Sequence, residues 1–422
     1  MKRIIADLHV HSAYSRATSK DMNVASMALW AKKKGINLLG TGDFTHPVHL
    51  TNLKAALKPA GRGLYKTSME PHVFFMLTAE ISSIYKYKGK VRKIHNIIMA
   101  PSIEIAEKIN SILGKHGNIS SDGRPILGMP AKDLMKIVLD ISPDCLFVPA
   151  HAWTPWFSIF GSKSGFDSIE ECFEEYSKYI YAIETGLSSD PEMNWRLSAL
   201  DSITLISNSD AHSPGKLGRE ANVFDCEMDY YEIMDSIRKK DKKRFLYTVE
   251  FFPEEGKYHH DGHRACNISS SPSETKKNGI KCPVCKKDFT VGVLNRVHEL
   301  ADRDEGFVPR NVIPAKHMVP LEEIIAGALN AGVNTLKVKR EYEKLVASNT
   351  EFEILIDLPE VELCKITDRR ITEGILMVRT GDINITPGYD GVYGKISIFS
   401  GKPARNAGKS RTITAPEQGG LF

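Results

Sequence analysis

Three observations predict an α/β fold of mainly parallel strands, followed by a small metal-binding insert and a mainly helical C-terminal region. Residues 1–245 repeat one rhythm, a short apolar strand, a polar or glycine-rich turn and a helical stretch, the pattern of parallel strands in a layer or barrel. Most of these strands end in polar or ionisable residues, and ligands gather where parallel strands end. Near residue 250 the composition shifts to histidine and cysteine pairs in a polar segment.

The chain has 422 residues, 42% hydrophobic and 26% charged, with a net charge of +4. That length suggests two or three domains, and the expected boundaries are a barrel over 1–245, a metal module over 246–300, a mixed, mainly helical region over 301–399 and a flexible tail over 400–422. No run approaches the roughly 18 apolar residues of a membrane span. The start MKRIIADLHVH passes straight into a motif, so no signal peptide is expected and the expected location is the cytoplasm. Seven cysteines, three of them within residues 266–285, suit a metal site better than a disulfide framework.

The first strand leads into DLHVHS, whose His9 and His11 share one face two residue rises apart, near enough to reach one ion. Asp21 is the expected cap of a helix in which Val24, Met27, Ala28 and Ala31 recur at helical spacing until Gly35. Strands at INLLGTGD, HVFFMLTAE, DCLFVPAH, YIYAIET and ITLISNSD then deliver Asp43, Glu80, His151, Glu184 and Asp210. KIHNIIMA follows the hairpin-like YKGK, so His95 is expected on an antiparallel strand. Residues 318–347 read as two helices, the first opened by Pro320. From Ser400 the chain is glycine-rich and basic with little apolar content.

Histidines and carboxylates at several strand ends suit zinc, manganese or iron, and a bridging carboxylate can hold ions a few ångströms apart. The set is His9, His11, Asp43, His46, Glu80, His95, His151, Asp210 and His212. HxH, D-xx-H, a lone Glu, two single His and a closing DxH, in that order over some 210 residues, resemble the PHP (polymerase and histidinol phosphatase) superfamily. The resemblance implies a distorted (β/α)7 barrel that holds up to three divalent ions (Zn²⁺, Mn²⁺ or Mg²⁺) and hydrolyses phosphate esters. Carried over by motif, His9, His11, Glu80 and Asp210 hold one ion and Glu80, His95 and His151 a second, while His212 and the GTGDFTHP turn face a third. Here the turn reads TGDFTH in place of a compact TDH, leaving Asp43, His46 or both as ligands, and Ser15-Arg16-Ala17 stand where a His or Asp often follows HxHS. The catalytic candidates are Asp210, Glu80, His151 and Asp190.

His263-x2-Cys266 and Cys282-x2-Cys285 have the spacing of a closed structural zinc site, with His259 and His260 as nearby alternatives to His263. Together with AHAWTPWFSIFGSKSGF, AIETGLSSDPEMNWR and SNSDAHSPGKLGREAN, this module resembles the endonuclease Q family over residues 1 to about 397. That resemblance implies a nuclease that nicks damaged DNA 5′ of uracil, hypoxanthine or xanthine, or at abasic sites, and works at the nucleoid. An extruded base needs a stacking pocket, for which Trp153, Trp156, Phe157 and Phe160 are candidates, a hydrophobic cap over the barrel being the alternative. Ser162, Lys163, Arg16, Lys216 and Arg219 are candidate phosphate contacts, while Glu184 and Asn208 are candidates to orient ligands. The terminal QGGLF resembles a bacterial sliding-clamp peptide, with Leu421 and Phe422 filling an apolar pocket and Gln418 hydrogen bonding. The competing expectations are a PHP-type phosphomonoesterase and an inactive DNA- or clamp-binding scaffold.

Overall fold

The computed structural model describes residues 3–399, so the expected clamp residues Gln418, Leu421 and Phe422 lie outside the described residues. Strands β1 (Ile4–Asp7), β2 (Leu38–Gly40) and β3 (Phe74–Tyr87) run parallel. Strand β4 (Lys90–Ala100) returns antiparallel to β3, and β5 (Leu146–Pro149) is antiparallel to β4. The turn between β3 and β4 is Lys88-Gly89 with φ of 47° and 78°, the left-handed pair of a tight hairpin that matches strand twist.

Strands β6 (Ala182–Glu184) and β7 (Thr204–Ile206) form a separate parallel pair. They close the ring by loop bonds: Ala152 N–H donates to the Glu184 carbonyl at 2.9 Å, His11 N–H to the Ala211 carbonyl at 3.0 Å, and Leu8 N–H to Asn208 Oδ1 at 2.8 Å. The result is the distorted α/β barrel the sequence predicts, with one hairpin interrupting its parallel order. Strands β8 (Ala221–Phe224), β9 (Phe245–Glu250) and β10 (Ala315–His317) extend the sheet outward from β1.

Alternation along the strands divides the apolar residues between the two faces of the curved sheet. Met76, Ile97, Met99 and Val148 fill the inside, whereas Phe75, Leu77, Ile81 and Ile98 pack against the outer helices. Along the inner face of β3 the series Met76, Thr78, Glu80, Ser82 passes from core to polar without leaving that face. The barrel is therefore filled below, and its polar groups converge on one mouth.

Helix Val24–Lys34 ends at Gly35, φ 88°, as expected, but its cap is Asn23, whose Oδ1 accepts from Ser26 N–H at 3.1 Å, rather than Asp21. The C-terminal region is mainly helical, with helices Leu321–Ala328, Leu336–Val346, Glu360–Ile366 and Arg369–Thr380. A buried Lys34–Glu351 pair at 2.7 Å joins it to the barrel. The chain then returns to the insert: strands Asn384–Thr386 and Lys395–Ser397 pair, and from the turn between them Tyr389 Oη donates to Asn267 Oδ1 at 2.7 Å. Among the described residues no helix is long and apolar enough to cross a membrane.

Candidate functional site

Two groups of side chains meet at the barrel mouth. In one, His9, His11, Glu80 and Asp210 each offer a donor atom, all within 4.8 Å of one another; in the other, Glu80, His95 and His151 do the same. His11 Nε2 lies 3.1 Å from both Glu80 Oε2 and Asp210 Oδ1, and His9 Nε2 lies 3.5 Å from Glu80 Oε2. Glu80 Oε1 faces His95 Nδ1 at 2.7 Å and His151 Nε2 at 3.0 Å. One carboxylate thus spans both groups.

The donor atoms of the first group have few competing partners. His9 Nε2, His11 Nε2 and Asp210 Oδ1 are buried and find no hydrogen-bond partner outside the group itself, a costly arrangement unless something else binds them. Their other ends are fixed, as ligating histidines require. His9 Nδ1 lies 3.0 Å from the Glu184 carboxylate, which also accepts from His151 N–H at 2.8 Å and Asn208 Nδ2 at 2.9 Å. Asp43, His151 and Asp210 have φ of 48°, 29° and 46°, the left-handed backbone that surrounding structure imposes at functional sites.

The electrostatics agree. Burial pushes the Glu80 carboxyl up, but His95, Arg124 and His9 outweigh it and hold the group well below the usual carboxylate range. Desolvation opposes the Asp210 carboxylate too, and His212, His11 and His9 keep it ionised. The donor set of imidazoles and carboxylates therefore fits divalent ions.

Several expected residues stand elsewhere. Asp43 is not free to ligate: its Oδ1 meets His11 Nδ1 at 3.0 Å, and its Oδ2 accepts from Ser12 N–H and Ser12 Oγ, both at 2.6 Å, and from Ser15 Oγ at 2.9 Å. It orients His11 instead. His46 has both ring nitrogens engaged, with Nε2 3.1 Å from the Ser120 carbonyl and Nδ1 accepting from His49 N–H. His212 lies beside His11, ring centroids 4.5 Å apart, with its Nδ1 on the Asp210 carbonyl at 2.9 Å. Asp190 stands outside both groups, capping a short helix through Met193 N–H at 2.8 Å and facing His317 Nε2 at 3.3 Å.

The aromatic loop divides. Trp153 is fully buried, its Nε1 donating to Asn194 Oδ1 at 2.8 Å, with the equally buried Phe160 4.8 Å from its ring. These two form a cap over the barrel, which corrects the base-stacking assignment of Trp153. Phe157 faces the metal groups, 4.7 Å from the His95 ring with φ of 62°, and Trp156 points towards Tyr258 of the insert. Ser162 Oγ is buried, whereas Lys163 is exposed. Arg219 Nε donates to the Ser209 carbonyl at 2.9 Å, beside Asp210; Lys216 pairs with Glu323 at 3.5 Å and Arg16 with Asp122 at 3.2 Å. Arg124, whose Nη1 lies 3.2 Å from Glu80 Oε2, escaped the sequence reading because SDGRP carries no ligand pattern. Ser82 was open to discovery, since it lies two residues beyond Glu80 on the same strand face.

In the insert, His263, Cys266, Cys282 and Cys285 bring four donor atoms within 4.8 Å. The knuckle is shaped by Lys286, φ 64°, whose N–H donates to the Cys282 carbonyl at 2.9 Å. Burial resists ionisation of the Cys282 thiol, but the N–H groups of Cys285 and Val284 bring it down to about 7, readying it to ligate as a thiolate. His259 is buried against His260, away from this group. Cys282→Ala is expected to release one tightly bound ion per chain and open residues 261–292 to protease. Metal analysis and limited proteolysis check this, and full metal content with an unchanged digest would contradict it.

A family model described as the MJ0043 C-terminal domain matches residues 320–382. The chain is 29% identical to YqxK of Bacillus subtilis over 94% of its own length and 100% of that protein. The lesion-specific endonuclease PfuEndoQ of Pyrococcus furiosus superposes with a TM-score of 0.84 at 32% identity, over 94% of this chain and 95% of that one. A structure of endonuclease Q with a 27-mer duplex carrying an abasic lesion at the active site gives a TM-score of 0.83 at 31% identity, over 94% and 97%.

Proposed function

The chain belongs to the endonuclease Q family, and from that premise we propose that it is a metal-dependent DNA-repair endonuclease. It nicks one strand on the 5′ side of deaminated bases (uracil, hypoxanthine, xanthine) or of abasic sites. The observation that carries this reading is Glu80, one buried carboxylate shared by two ligand groups, in the first of which His9 Nε2, His11 Nε2 and Asp210 Oδ1 have no hydrogen-bond partner outside the group.

His9, His11, Glu80 and Asp210 would hold one divalent ion and Glu80, His95 and His151 another. Bound ions lower the pKa of coordinated water and neutralise phosphate oxygens in an in-line displacement. The protein's own groups do the rest. Glu184 and Asp43 hold His9 and His11 in fixed tautomers, and the strained loop after His151 presents Phe157 to a base lifted from the stack. Base extrusion costs least at a mispaired or missing base, which favours such lesions over intact duplex. Beyond the described residues, Gln418, Leu421 and Phe422 would dock on a sliding clamp; Phe422→Ala should weaken capture by an immobilised clamp without changing nicking of short duplexes.

A panel of end-labelled duplexes with one deoxyuridine, deoxyinosine, deoxyxanthosine or abasic site, run beside undamaged duplex and p-nitrophenyl phosphate, tests the assignment. The expected result is a nick only in damaged strands and no release of p-nitrophenol. Release of p-nitrophenol with intact DNA would replace the reading by a phosphomonoesterase, and inertness in both assays by a scaffold.

A further inference from the structure

A small cavity opens beside Glu80, lined by Arg16, Ser82, His95, Asp122, Arg124 and Phe157. Ser82 is only 1% exposed, and its Oγ has no hydrogen-bond partner. It shares the inner face of β3 with Glu80, and its hydroxyl lies at the cavity that His95 of the second ligand group borders. The Arg124 side chain is 13% exposed and meets Glu80 Oε2 at 3.2 Å.

The loop that carries Arg124 is fixed from several sides. Asp122 Oδ1 accepts from the backbone N–H groups of Arg16 and Arg124, at 3.3 and 3.1 Å. Thr45 Oγ1 donates to the Gly123 carbonyl, and His46 Nε2 binds the Ser120 carbonyl. Gly123 lies so close to Asp43 that an added Cβ would sit 2.3 Å from its Oδ2. Thus Thr45 and His46, in the turn that the sequence offers as facing a third ion, tie down the Arg124 loop, and Asp43, against which Gly123 packs, links that turn to His11.

A held guanidinium here has an electrostatic consequence. Between them the two ligand groups contain two carboxylates, Glu80 and Asp210, the rest being imidazoles. With a divalent ion in each group, the buried Asp43 and Glu184 carboxylates behind His11 and His9 would complete the offset begun by Glu80 and Asp210, and the Arg124 guanidinium would add a positive charge beyond it. Buried charge of one sign is stable only when a counter-charge reaches it. Planar guanidinium is well matched to two phosphate oxygens, and a serine hydroxyl can donate to one of them.

We propose that this cavity is an anion site for the scissile phosphate, in which Arg124 is a catalytic residue that binds a non-bridging oxygen, assisted by Ser82. The proposal rests on the nuclease reading. In the step it serves, the oxygen of water bonds to phosphorus while one ester P–O bond breaks, and the proton lost by water balances the proton gained by the leaving alkoxide. Arg124 exchanges no proton; its hydrogen bonds strengthen as charge builds on the phosphate oxygens.

The test compares wild type, Arg124→Ala and Arg124→Lys in the metal-loaded protein. Measured are bound metal, affinity for inorganic phosphate by calorimetry and the nicking rate on an abasic duplex. Arg124→Ala is expected to keep its metal, bind phosphate at least about tenfold more weakly and nick about 10²- to 10³-fold more slowly. Arg124→Lys should recover part of both losses, since charge returns without the fork. Wild-type phosphate affinity and nicking in Arg124→Ala would overturn the proposal, as would loss of metal in both variants, which would make Arg124 a support for Glu80. If wild type nicks no lesion, the nuclease reading fails instead, and phosphate affinity alone still judges the site.

Discussion

Glu80→Gln is expected to cut nicking by at least about 10³-fold while leaving the fold intact. Glu80 is the one residue in both ligand groups, fully buried and facing His11, His9, His95, His151 and Arg124. Glutamine keeps the shape and removes the negative charge, so neither ion would have its shared anionic ligand. Metal analysis should show binding weakened at both groups, and thermal unfolding without metal should be close to wild type or higher. Nicking within tenfold of wild type would show that Glu80 is not the shared ligand of the reacting centre.

The second large effect concerns stability. Trp153→Ala removes a fully buried indole whose N–H is paired with Asn194 and whose ring packs on Phe160. A loss of about 3–5 kcal/mol is expected from the lost burial and the cavity left behind. Denaturant unfolding measures it. At temperatures where the variant remains folded, DNA affinity should stay within about twofold of wild type, because Trp153 is sealed beneath the loop. Full stability combined with weakened DNA binding would restore the residue to the DNA surface.

Much of the barrel was legible because its strands carry their own signal. Alternation along β3 and β4 separates core from mouth, and the YKGK turn announces the antiparallel hairpin that places His95 opposite Ser82. The HxH and DxH pairs were legible for the same reason: strand ends aim such side chains at one point. What stayed hidden is what residue type cannot distinguish. Asp43 and His46 have ligand chemistry, yet their lone pairs and protons are engaged by His11, Ser12, Ser120 and His49, contacts that only the folded chain creates. An aromatic loop reads alike whether its rings meet a base or a core, so Trp153 and Phe157 could be told apart only by burial. Arg124 had no periodic or spacing signal, since its partner Glu80 is 44 residues away. The return of residues 384–397 to the insert rests on equally distant contacts, such as His260 N–H with the Gly388 carbonyl at 2.9 Å.

The two ligand groups joined by Glu80 are expected to cut DNA at a lesion. The decisive experiment uses a 5′-end-labelled duplex with one abasic site, incubated with metal-stripped protein, with protein reloaded with Mg²⁺ or Mn²⁺, and with reloaded Asp210→Asn, the products being sized on a denaturing gel. One cut on the 5′ side of the lesion is expected with reloaded wild type and none in the other two, although Asp210→Asn still retards the duplex on a native gel. Cutting by Asp210→Asn at the wild-type rate, or no cutting by the reloaded wild type, would contradict that expectation.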